Sequence, residues 1–196
     1  MYTYGISQKI RDYHNVLYTL WLSQFIGKVG EKTGFARPLL LQGGGLRNIN
    51  IGSHTNIGHH TVLGCFERYG EDHFKPEIKI GNNCNIGEYC HIAAINKITI
   101  GDGLLTGRFV YIGDNAHGGL SLEEAMTPPQ LRKLTSKGGI IIGRNVWIGD
   151  KVSIFGGVTI GDNVIIGAGS IVTHDISSNS MVAGMPARVI KKIDRG

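Results

Sequence analysis

His117 stands apart from the other histidines of this sequence and is a candidate for acid–base chemistry. An imidazole titrates near neutral pH, so a histidine beside a substrate can take up a proton under physiological conditions. His117 closes the stretch Asp114-Asn115-Ala116-His117-Gly118, where a regular repeat gives way to a long irregular segment. The other seven histidines lie within the repeat or in peripheral segments: His14, His54, His59, His60, His73, His91 and His174.

Positive charge near the end of the chain is a second candidate for chemistry. Met185-Pro186-Ala187-Arg188 is followed by Lys191, Lys192 and Arg195. A run of this kind is commonly solvated surface, and it could equally neutralise phosphate groups.

The composition limits what can position these residues. The chain has 196 residues, of which 41% are hydrophobic and 18% charged, so it can form the core of one domain and is not disordered. Its 30 glycines follow no collagen period and point to frequent turns rather than a helical bundle. The net charge of +5 favours a polyanionic partner: nucleic acid, an anionic membrane or a phosphorylated cofactor.

The cysteines and the absence of targeting signals indicate a cytoplasmic protein. Cys65, Cys84 and Cys90 form no CxxC pair, and no secretory signal precedes them. We therefore expect reduced thiols. The most apolar run, residues 16 to 26, is interrupted by polar residues and is too short to span a membrane.

A six-residue repeat dominates the sequence. An aliphatic residue, usually followed by glycine, recurs every sixth position, with a small or β-branched residue in the fifth place. All but three of the fifteen hexads have glycine second, the exceptions beginning at Ile92, Ile154 and Val172. The hexads begin at Ile51, Ile57, Leu63, Ile80, Ile86, Ile92, Ile100, Thr106, Ile112, Ile142, Ile148, Ile154, Ile160, Ile166 and Val172.

This period predicts an all-β solenoid. Six is a multiple of the two-residue strand period and fits a helix poorly, so each hexad forms one short strand and a turn. Pairs such as Asn82-Asn83 and Asp162-Asn163 suit turns with positive φ. Three hexads make a triangular coil, and stacked coils bury their aliphatic residues against one another. We predict a parallel β-helix of about five coils over residues 49–175.

Segments outside the repeat complete the predicted organisation. Residues 1–48 form a helical cap and lead-in, because apolar residues recur near helical spacing between residues 6 and 25. The alternative for this helix is a basic amphipathic helix resting on the inner face of a membrane. Two loops, 64–77 and 114–139, interrupt the repeat, and residues 176–196 form a basic tail. The apolar residues of the helix are Ile6, Ile10, Tyr13, Leu17, Leu20, Trp21 and Phe25.

The hexads resemble those of the hexapeptide-repeat acyltransferases, which implies that the β-helix is left-handed. Residues 97–193 are similar to the sugar O-acetyltransferases of the maltose, galactoside and nodulation-factor type, and nearest to those thought to modify lipopolysaccharide and capsule. The resemblance implies an acetyl-CoA-dependent enzyme that acetylates a hydroxyl of a sugar or surface-glycan precursor. It further implies a homotrimer with active sites between subunits, and neither a metal ion nor nucleic acid is expected.

The resemblance also assigns residues. His117 matches the general base, and Trp147, within Asn145-Val146-Trp147-Ile148-Gly149, matches an aromatic of the active-site cleft. Asn115 is the further candidate for acceptor binding. Asp114, Glu123 and Glu124 are the carboxylates considered for orienting His117. The residues expected to contact coenzyme A are Trp147, Ala168, Thr173, Arg188 and Lys191.

The sequence departs from the family pattern at two places, and three alternatives to O-acetyltransferase activity stay open. His174 stands where relatives commonly have lysine, and the acceptor-binding Asn of the family falls near Gly87-Glu88-Tyr89 without a match. The runner-up activity is N-acetylation of a nucleotide-linked amino sugar. A scaffolding β-helix without activity is the second rival. The third is a zinc-dependent γ-carbonic-anhydrase-like protein, with ligands drawn from His54, His59 and His91.

Overall fold

The fold is known from a computed structural model that describes residues 2–119 and 121–193, with side chains from residue 7 onward. The Ile6 side chain and Arg195 lie outside the described residues. Short parallel strands stack into three long faces, which confirms the all-β, left-handed parallel β-helix.

Each face is a parallel sheet that runs along the solenoid axis. The first comprises Lys28–Val29, Ile49–Ile51, Glu77–Ile80, Lys97–Ile100, Ile140–Ile142 and Thr159–Ile160. The second comprises Gly34–Phe35, Asn56–Ile57, Asn85–Ile86, Leu105–Thr106, Trp147–Ile148, Ile165–Ile166 and Ser180–Gly184, with Ala187–Lys192 antiparallel at its end. The third comprises Leu40–Gln42, Val62–Cys65, His91–Ala94, Tyr111–Gly113, Ser153–Phe155 and Ile171–Val172.

The solenoid has six complete coils, one more than the sequence predicts. The additional coil lies at residues 28–42, within the segment interpreted as a lead-in, so the coils begin before residue 49. Val29, Phe35 and Leu41 keep the six-residue spacing, but glycine follows only Val29. The glycine signature therefore misses this coil although its strands pair in register with the next.

The core consists of the aliphatic columns that the hexads predict. Ile57, Ile86, Ile148 and Ile166, for example, are at most 1% exposed. The predicted turns are confirmed where Asn83 and Asn163 adopt φ of 54° and 56°. The three cysteines are also buried. Burial raises the pKa of each thiol: Cys65 (to about 12), Cys84 and Cys90.

Helix α1 (Tyr2–Leu22) covers the open edge of the first coil. The Thr19 hydroxyl accepts a hydrogen bond from the Phe35 N–H at 2.9 Å, and the Tyr18 hydroxyl both accepts from and donates to Leu39 at 3.0 Å. These bonds satisfy strand groups that would otherwise form an unpaired edge. The predicted N-terminal helix is confirmed.

The side of α1 that packs differs from the predicted one. Thr19, Leu22 and the following Ile26 are buried, whereas the apolar residues expected to face the coil are exposed. The exposed set is Ile10, Tyr13, Leu17, Leu20, Trp21 and Phe25.

Within the described residues, the basic tail forms a hairpin. Ser180–Gly184 continues the second face, and Ala187–Lys192 pairs antiparallel with it. The Lys192 ammonium donates to the hydroxyls of Ser177 and Ser180, which fastens the returning strand. This hairpin covers one end of the second face, and its register fixes where each basic side chain lies.

Two corners of the triangular coil matter for the site. The loop corner joins the third face to the first and carries residues 43–48, 66–76, 114–139 and 173–175. The aromatic corner joins the second face to the third and carries residues 58–61, 87–90, 107–110, 149–152 and 167–170. Within the described residues, no helix is long and apolar enough to cross a bilayer.

Candidate active site

His117 projects from the loop corner at the start of the longest insertion. Ala116–His117 pairs antiparallel with Leu134–Thr135, and the Gly118 N–H donates to the Lys133 carbonyl at 2.8 Å. This short ladder closes the insertion near its root, while the imidazole itself stays exposed. The predicted general base is thus fixed by backbone pairing and accessible to a ligand.

Tyr69, in the other insertion at the loop corner, is the aromatic neighbour of His117. The two ring centroids are 5.2 Å apart with planes at 73°, an edge-to-face contact. The Tyr69 hydroxyl donates to the Gln130 carbonyl at 2.7 Å, and Lys133 lies 3.5 Å from the Asp72 carboxylate. Sequence reasoning missed Tyr69, because only the folded coils bring the two insertions together.

Asp114 fixes the root of the insertion and does not orient His117. Its carboxylate accepts hydrogen bonds from the Ile95 N–H at 2.8 Å and the Asn96 N–H at 3.0 Å, and the residue is 1% exposed. Burial raises the pKa of this carboxyl, and the backbone hydrogen bonds partly offset that rise. A buried acceptor at this point holds the chain where it leaves the third face.

The other carboxylates considered for orienting His117 belong to a short helix within the insertion. Helix α2 (Leu122–Met126) begins after Ser121, whose hydroxyl accepts from the Glu124 N–H at 3.2 Å and donates to the Glu124 carboxylate at 3.0 Å. A hydrogen bond from the Gly119 N–H is the main cause of the lowered pKa of Glu124. Glu124 therefore completes a helix N-cap, and Glu123 lies exposed in the first turn of α2.

The insertion rests on two glycines of the next coil. A Cβ at Gly156 would lie 3.0 Å from the Asp114 and Gly138 carbonyl oxygens, and the Gly157 N–H donates to the Gly138 carbonyl at 2.9 Å. This close approach explains why the hexad that begins at Ile154 has glycine in its third and fourth places. Its glycines lie where the insertion crosses the coil.

Asn115 and Thr173, both predicted site residues, also lie at the loop corner. The Asn115 side-chain amide donates to the Ala93 carbonyl at 3.2 Å, and the residue is half-buried. Thr173 is exposed two coils further along the axis, and its hydroxyl lies 2.9 Å from His174 Nδ1. His174, where the resemblance leads us to expect lysine, therefore has a neutral hydroxyl beside it.

Trp147 lies on the outer side of the second face. It pairs in register with Leu105 on one side and Ile165 on the other, and it is 52% exposed. The inward neighbour Ile148 is buried, as the alternation of a strand requires. A large, exposed aromatic in a flat sheet can stack on a ligand or contact another subunit.

Ala168, Arg188 and Lys191 lie at the end of the second face beyond Trp147. Ala168 is exposed at the aromatic corner, and a Cβ at the preceding Gly167 would lie 2.9 Å from the Ala183 side chain. Ala183 pairs with Arg188, and Met181 pairs with Lys191. Neither Arg188 nor Lys191 forms a side-chain ion pair with the described residues, and the Arg188 guanidinium donates to the Ala187 carbonyl at 2.9 Å. Both positive charges are therefore available to an anion.

The predicted site residues therefore form two groups within one chain. His117, Asn115 and Thr173 lie at the loop corner, whereas the other four lie on the second face or at the aromatic corner: Trp147, Ala168, Arg188 and Lys191. In the triangular coil, the third face lies between the loop corner and the aromatic corner, and the first face lies between the loop corner and the second face. One chain alone does not bring the two groups together.

The aromatic corner carries a further cluster. The His60, Tyr89 and Phe109 rings stack in sequence, with centroid separations of 4.8 and 5.1 Å. The Glu88 carboxylate beside them lies 3.1 Å from both His59 Nε2 and Arg108 Nε. A carboxylate, a guanidinium and apolar ring edges can bind a polar ligand with an apolar surface.

The histidines considered as zinc ligands do not converge in one chain. His54 lies at the corner between the first and second faces, His59 at the aromatic corner beside Glu88, and His91 on the third face. Within the described part of the chain, no group of three or more His, Cys, Asp or Glu residues could hold a metal ion.

Comparison with known sequences gives two matches of different extent. The family "Bacterial transferase hexapeptide (six repeats)" matches residues 139–174. The putative lipopolysaccharide biosynthesis O-acetyl transferase WbbJ of Escherichia coli K12 is 35% identical over 149 residues, which cover 74% of this chain and 72% of that protein.

Comparison with solved structures supports the same architecture. A maltose O-acetyltransferase from Clostridium difficile 630 superimposes with a TM-score of 0.57 at 31% identity, over 89% of this chain and 73% of that one. AntD, an N-acyltransferase from Bacillus cereus solved with dTDP and coenzyme A, gives a TM-score of 0.71 over 89% and 88% of the two chains. Its identity is 21%, so the likeness to AntD concerns the fold.

Proposed function

The chain belongs to the hexapeptide-repeat transferases, and from this premise we propose that it transfers the acetyl group of acetyl-CoA to a hydroxyl of a sugar or surface-glycan precursor, with His117 as general base. The observation that carries the proposal is the exposed His117 imidazole, held at the root of the longest insertion by a backbone ladder and by the edge of Tyr69. The names of the relatives, which include sugar O-acetyltransferases, support the hydroxyl as acceptor.

The reaction needs a base and two aligned substrates. A sugar hydroxyl is a weak nucleophile at neutral pH, so a neutral imidazole takes its proton as the oxygen attacks the thioester carbonyl. A new C–O bond forms, and a tetrahedral oxyanion develops that requires hydrogen-bond donors. When the C–S bond breaks, the protonated His117 returns its proton to the departing thiolate. Holding both substrates in line supplies the larger share of the rate enhancement.

Coenzyme A is bound by the second face in this proposal. Arg188 and Lys191 place two unpaired cations at its end, where they neutralise phosphate groups. The small Gly167-Ala168-Gly169 turn lets an extended pantetheine chain approach the backbone, and Trp147 offers an aromatic surface along the way. Thr173, at the loop corner, adds a hydroxyl to the other wall of the site.

A cyclic homotrimer completes the site. The loop-corner group and the second-face group lie on different edges of one chain, so a neighbouring subunit must supply one of them. In a threefold ring, each of three equivalent crevices takes His117 from one protomer and Trp147 with Arg188 from the next. This arrangement explains how residues far apart in one protomer serve one reaction.

The experiment that tests the proposal measures thiol release from acetyl-CoA against sugars, nucleotide sugars and oligosaccharides. We expect turnover with a hydroxyl acceptor and a loss of about 10²–10⁴ in kcat for His117→Ala. Calorimetric titration with coenzyme A should show binding unchanged in that variant. Turnover with only nucleotide-linked amino sugars would favour the N-acetyltransferase alternative. Absence of coenzyme A binding at high micromolar ligand would favour a scaffold without activity.

A further inference from the structure

Helix α1 presents a stripe of large apolar side chains away from the β-helix. Its members recur at intervals of three and four residues and therefore share one side of the helix. Trp21 is 52% exposed, although it lies beside residues that pack on the first coil. We call this set the α1 stripe: Ile10, Tyr13, Leu17, Leu20 and Trp21.

The opposite side of α1 shows that this orientation is built into the sequence. Tyr18 and Leu22 pack on the first coil, and Gln8, Arg11 and Asn15 continue the same side toward the N-terminus. The protein covers this side only near the C-terminal end of α1, where Thr19 and Leu22 are buried, whereas Gln8 and Arg11 are exposed. The larger apolar side of the helix, the α1 stripe, faces outward.

Positive charge is concentrated at the same end of the molecule. Residues 1–47 contain six Lys or Arg and two Asp or Glu, which is +4 of the net +5 of the chain. Among the described residues, no carboxylate forms a side-chain ion pair with any of the six. These are Lys9, Arg11, Lys28, Lys32, Arg37 and Arg47.

We propose that the α1 stripe and this basic end dock the protein on an anionic lipid surface. An apolar stripe inserts at the boundary between headgroups and acyl chains, and unpaired cations beside it attract anionic headgroups. A second copy of the chain could cover the stripe, but the positive charge of both copies would then be brought together. Charge complementarity therefore favours lipid over self-association.

Docking at this end has a consequence that rests on the proposed function. The solenoid axis would then run away from the membrane, and His117 would lie several coils along it. An acceptor carried on a lipid would present its saccharide to the loop corner from the surface on which the enzyme rests. The acceptor class is then a lipid-linked glycan precursor rather than a free sugar.

The test uses the full chain and vesicles of defined composition. Trp147→Phe leaves Trp21 as the single tryptophan, because the chain has two. We expect this protein to sediment with vesicles of phosphatidylglycerol and phosphatidylcholine, with a blue shift of Trp21 emission. Phosphatidylcholine alone or high salt should weaken the association. Adding Leu17→Glu with Leu20→Glu should reduce vesicle binding by about tenfold or more, whereas the matched control Ile141→Glu, exposed to 52% on the first face, should not.

Two results would overturn the proposal. One is the absence of binding to either vesicle with the circular dichroism spectrum unchanged. The other combines two observations: iodide does not quench Trp21 fluorescence in the absence of vesicles, and the Leu17→Glu/Leu20→Glu variant has a lower oligomeric mass than the protein without these two substitutions. Together they would show that a second copy of the chain covers the α1 stripe. Coenzyme A titration of the wild-type protein separates the claims. Binding of coenzyme A without vesicle binding removes only the docking proposal, and the reverse result removes only the proposed function.

Discussion

The edge of the Tyr69 ring meets the His117 imidazole, with centroids 5.2 Å apart, although the two residues belong to different insertions of the β-helix. Both insertions leave from the loop corner, after the third-face strands Val62–Cys65 and Tyr111–Gly113, which lie two coils apart. The two insertions meet because they fold toward each other across the intervening coil. The Tyr69 hydroxyl is engaged with the Gln130 carbonyl, so the ring cannot turn freely beside the histidine.

Tyr69 is therefore expected to position His117. Tyr69→Phe keeps the ring but loses the hydrogen bond to Gln130, and we expect a decrease in kcat of about twofold to fivefold. Tyr69→Ala removes the wall beside the imidazole, and we expect a decrease of about tenfold to a hundredfold, since small misplacement of a catalytic group is costly. The KM for acetyl-CoA should be unchanged in both. Equal activity of Tyr69→Ala and wild type would show that the contact has no role.

Arg188 and Lys191 are expected to bind the phosphates of acetyl-CoA, and Lys192 provides a matched control. Lys191→Ala and Arg188→Ala should each raise the KM for acetyl-CoA by about fivefold to fiftyfold, as expected for loss of a charge-assisted hydrogen bond. Lys192 is engaged with Ser177 and Ser180, so Lys192→Ala should lower the melting temperature and leave that KM near the wild-type value. An equal increase in the KM for acetyl-CoA in all three variants would indicate that the net positive charge of the hairpin, rather than these two side chains, attracts acetyl-CoA.

Asp114 is expected to support the site through the backbone. Asp114→Ala leaves the N–H groups of Ile95 and Asn96 without their acceptor and should lower the free energy of unfolding by about 1–3 kcal/mol. Asp114→Asn retains one acceptor oxygen and removes a buried charge, so its loss should be smaller. Thermal denaturation of both variants measures the difference. The idea fails if Asp114→Ala unfolds at the wild-type temperature.

His91 is expected to make the free energy of unfolding decrease at acidic pH. Burial lowers its pKa, and its Nε2 atom has no hydrogen-bond partner among the residues that the structure describes. The unfolded chain binds a proton at His91 below about pH 6.5, whereas the folded chain resists it, so the free energy of unfolding falls as the pH drops through that value.

The variant His91→Phe isolates this contribution. Phenylalanine can preserve the edge-to-face contact with Tyr111, whose centroid lies 5.7 Å from that of His91, and it does not titrate. We expect the melting temperature of His91→Phe to change less between pH 7.5 and pH 5.5 than that of the wild type. His14 is exposed, so the variant His14→Phe serves as the control. Its melting temperature should change between pH 7.5 and pH 5.5 by as much as that of the wild type. Equal changes of melting temperature in the wild type, His91→Phe and His14→Phe would contradict the assignment of this pH dependence to His91.

The fold could be predicted because its signal repeats. Each inward aliphatic residue packs against the equivalent residue of the next coil. The six-residue spacing of Ile142, Ile148 and Ile154 therefore predicts one inward side chain on each face of a triangular coil. The first coil was missed because Phe35 and Leu41 lack the following glycine, although they keep the spacing. The packed side of α1 was predicted wrongly because hydrophobicity alone selects the larger apolar stripe. Hydrogen bonding by Thr19 and Tyr18 decides the orientation instead.

The site could be predicted only in part. Spacing marks His117 because it stands where the repeat stops, and the resemblance names Trp147 and Arg188. Neither indicates Tyr69, whose position depends on how two insertions fold against each other. Proximity in sequence also favoured Asp114 and Glu124 as orienting groups, whereas their carboxylates bind backbone N–H groups and the Ser121 hydroxyl.

The measurement that tests the central claim most directly is complementation between two inactive variants. His117→Ala and Trp147→Ala chains are co-expressed, and the mixed oligomers are assayed for thiol release from acetyl-CoA. If each site takes His117 from one protomer and Trp147 from the next, random trimers carry an intact pair at about a quarter of their sites, and we predict recovery of about a quarter of wild-type activity. Mixed oligomers as inactive as either parent would contradict an intersubunit site built on these two residues.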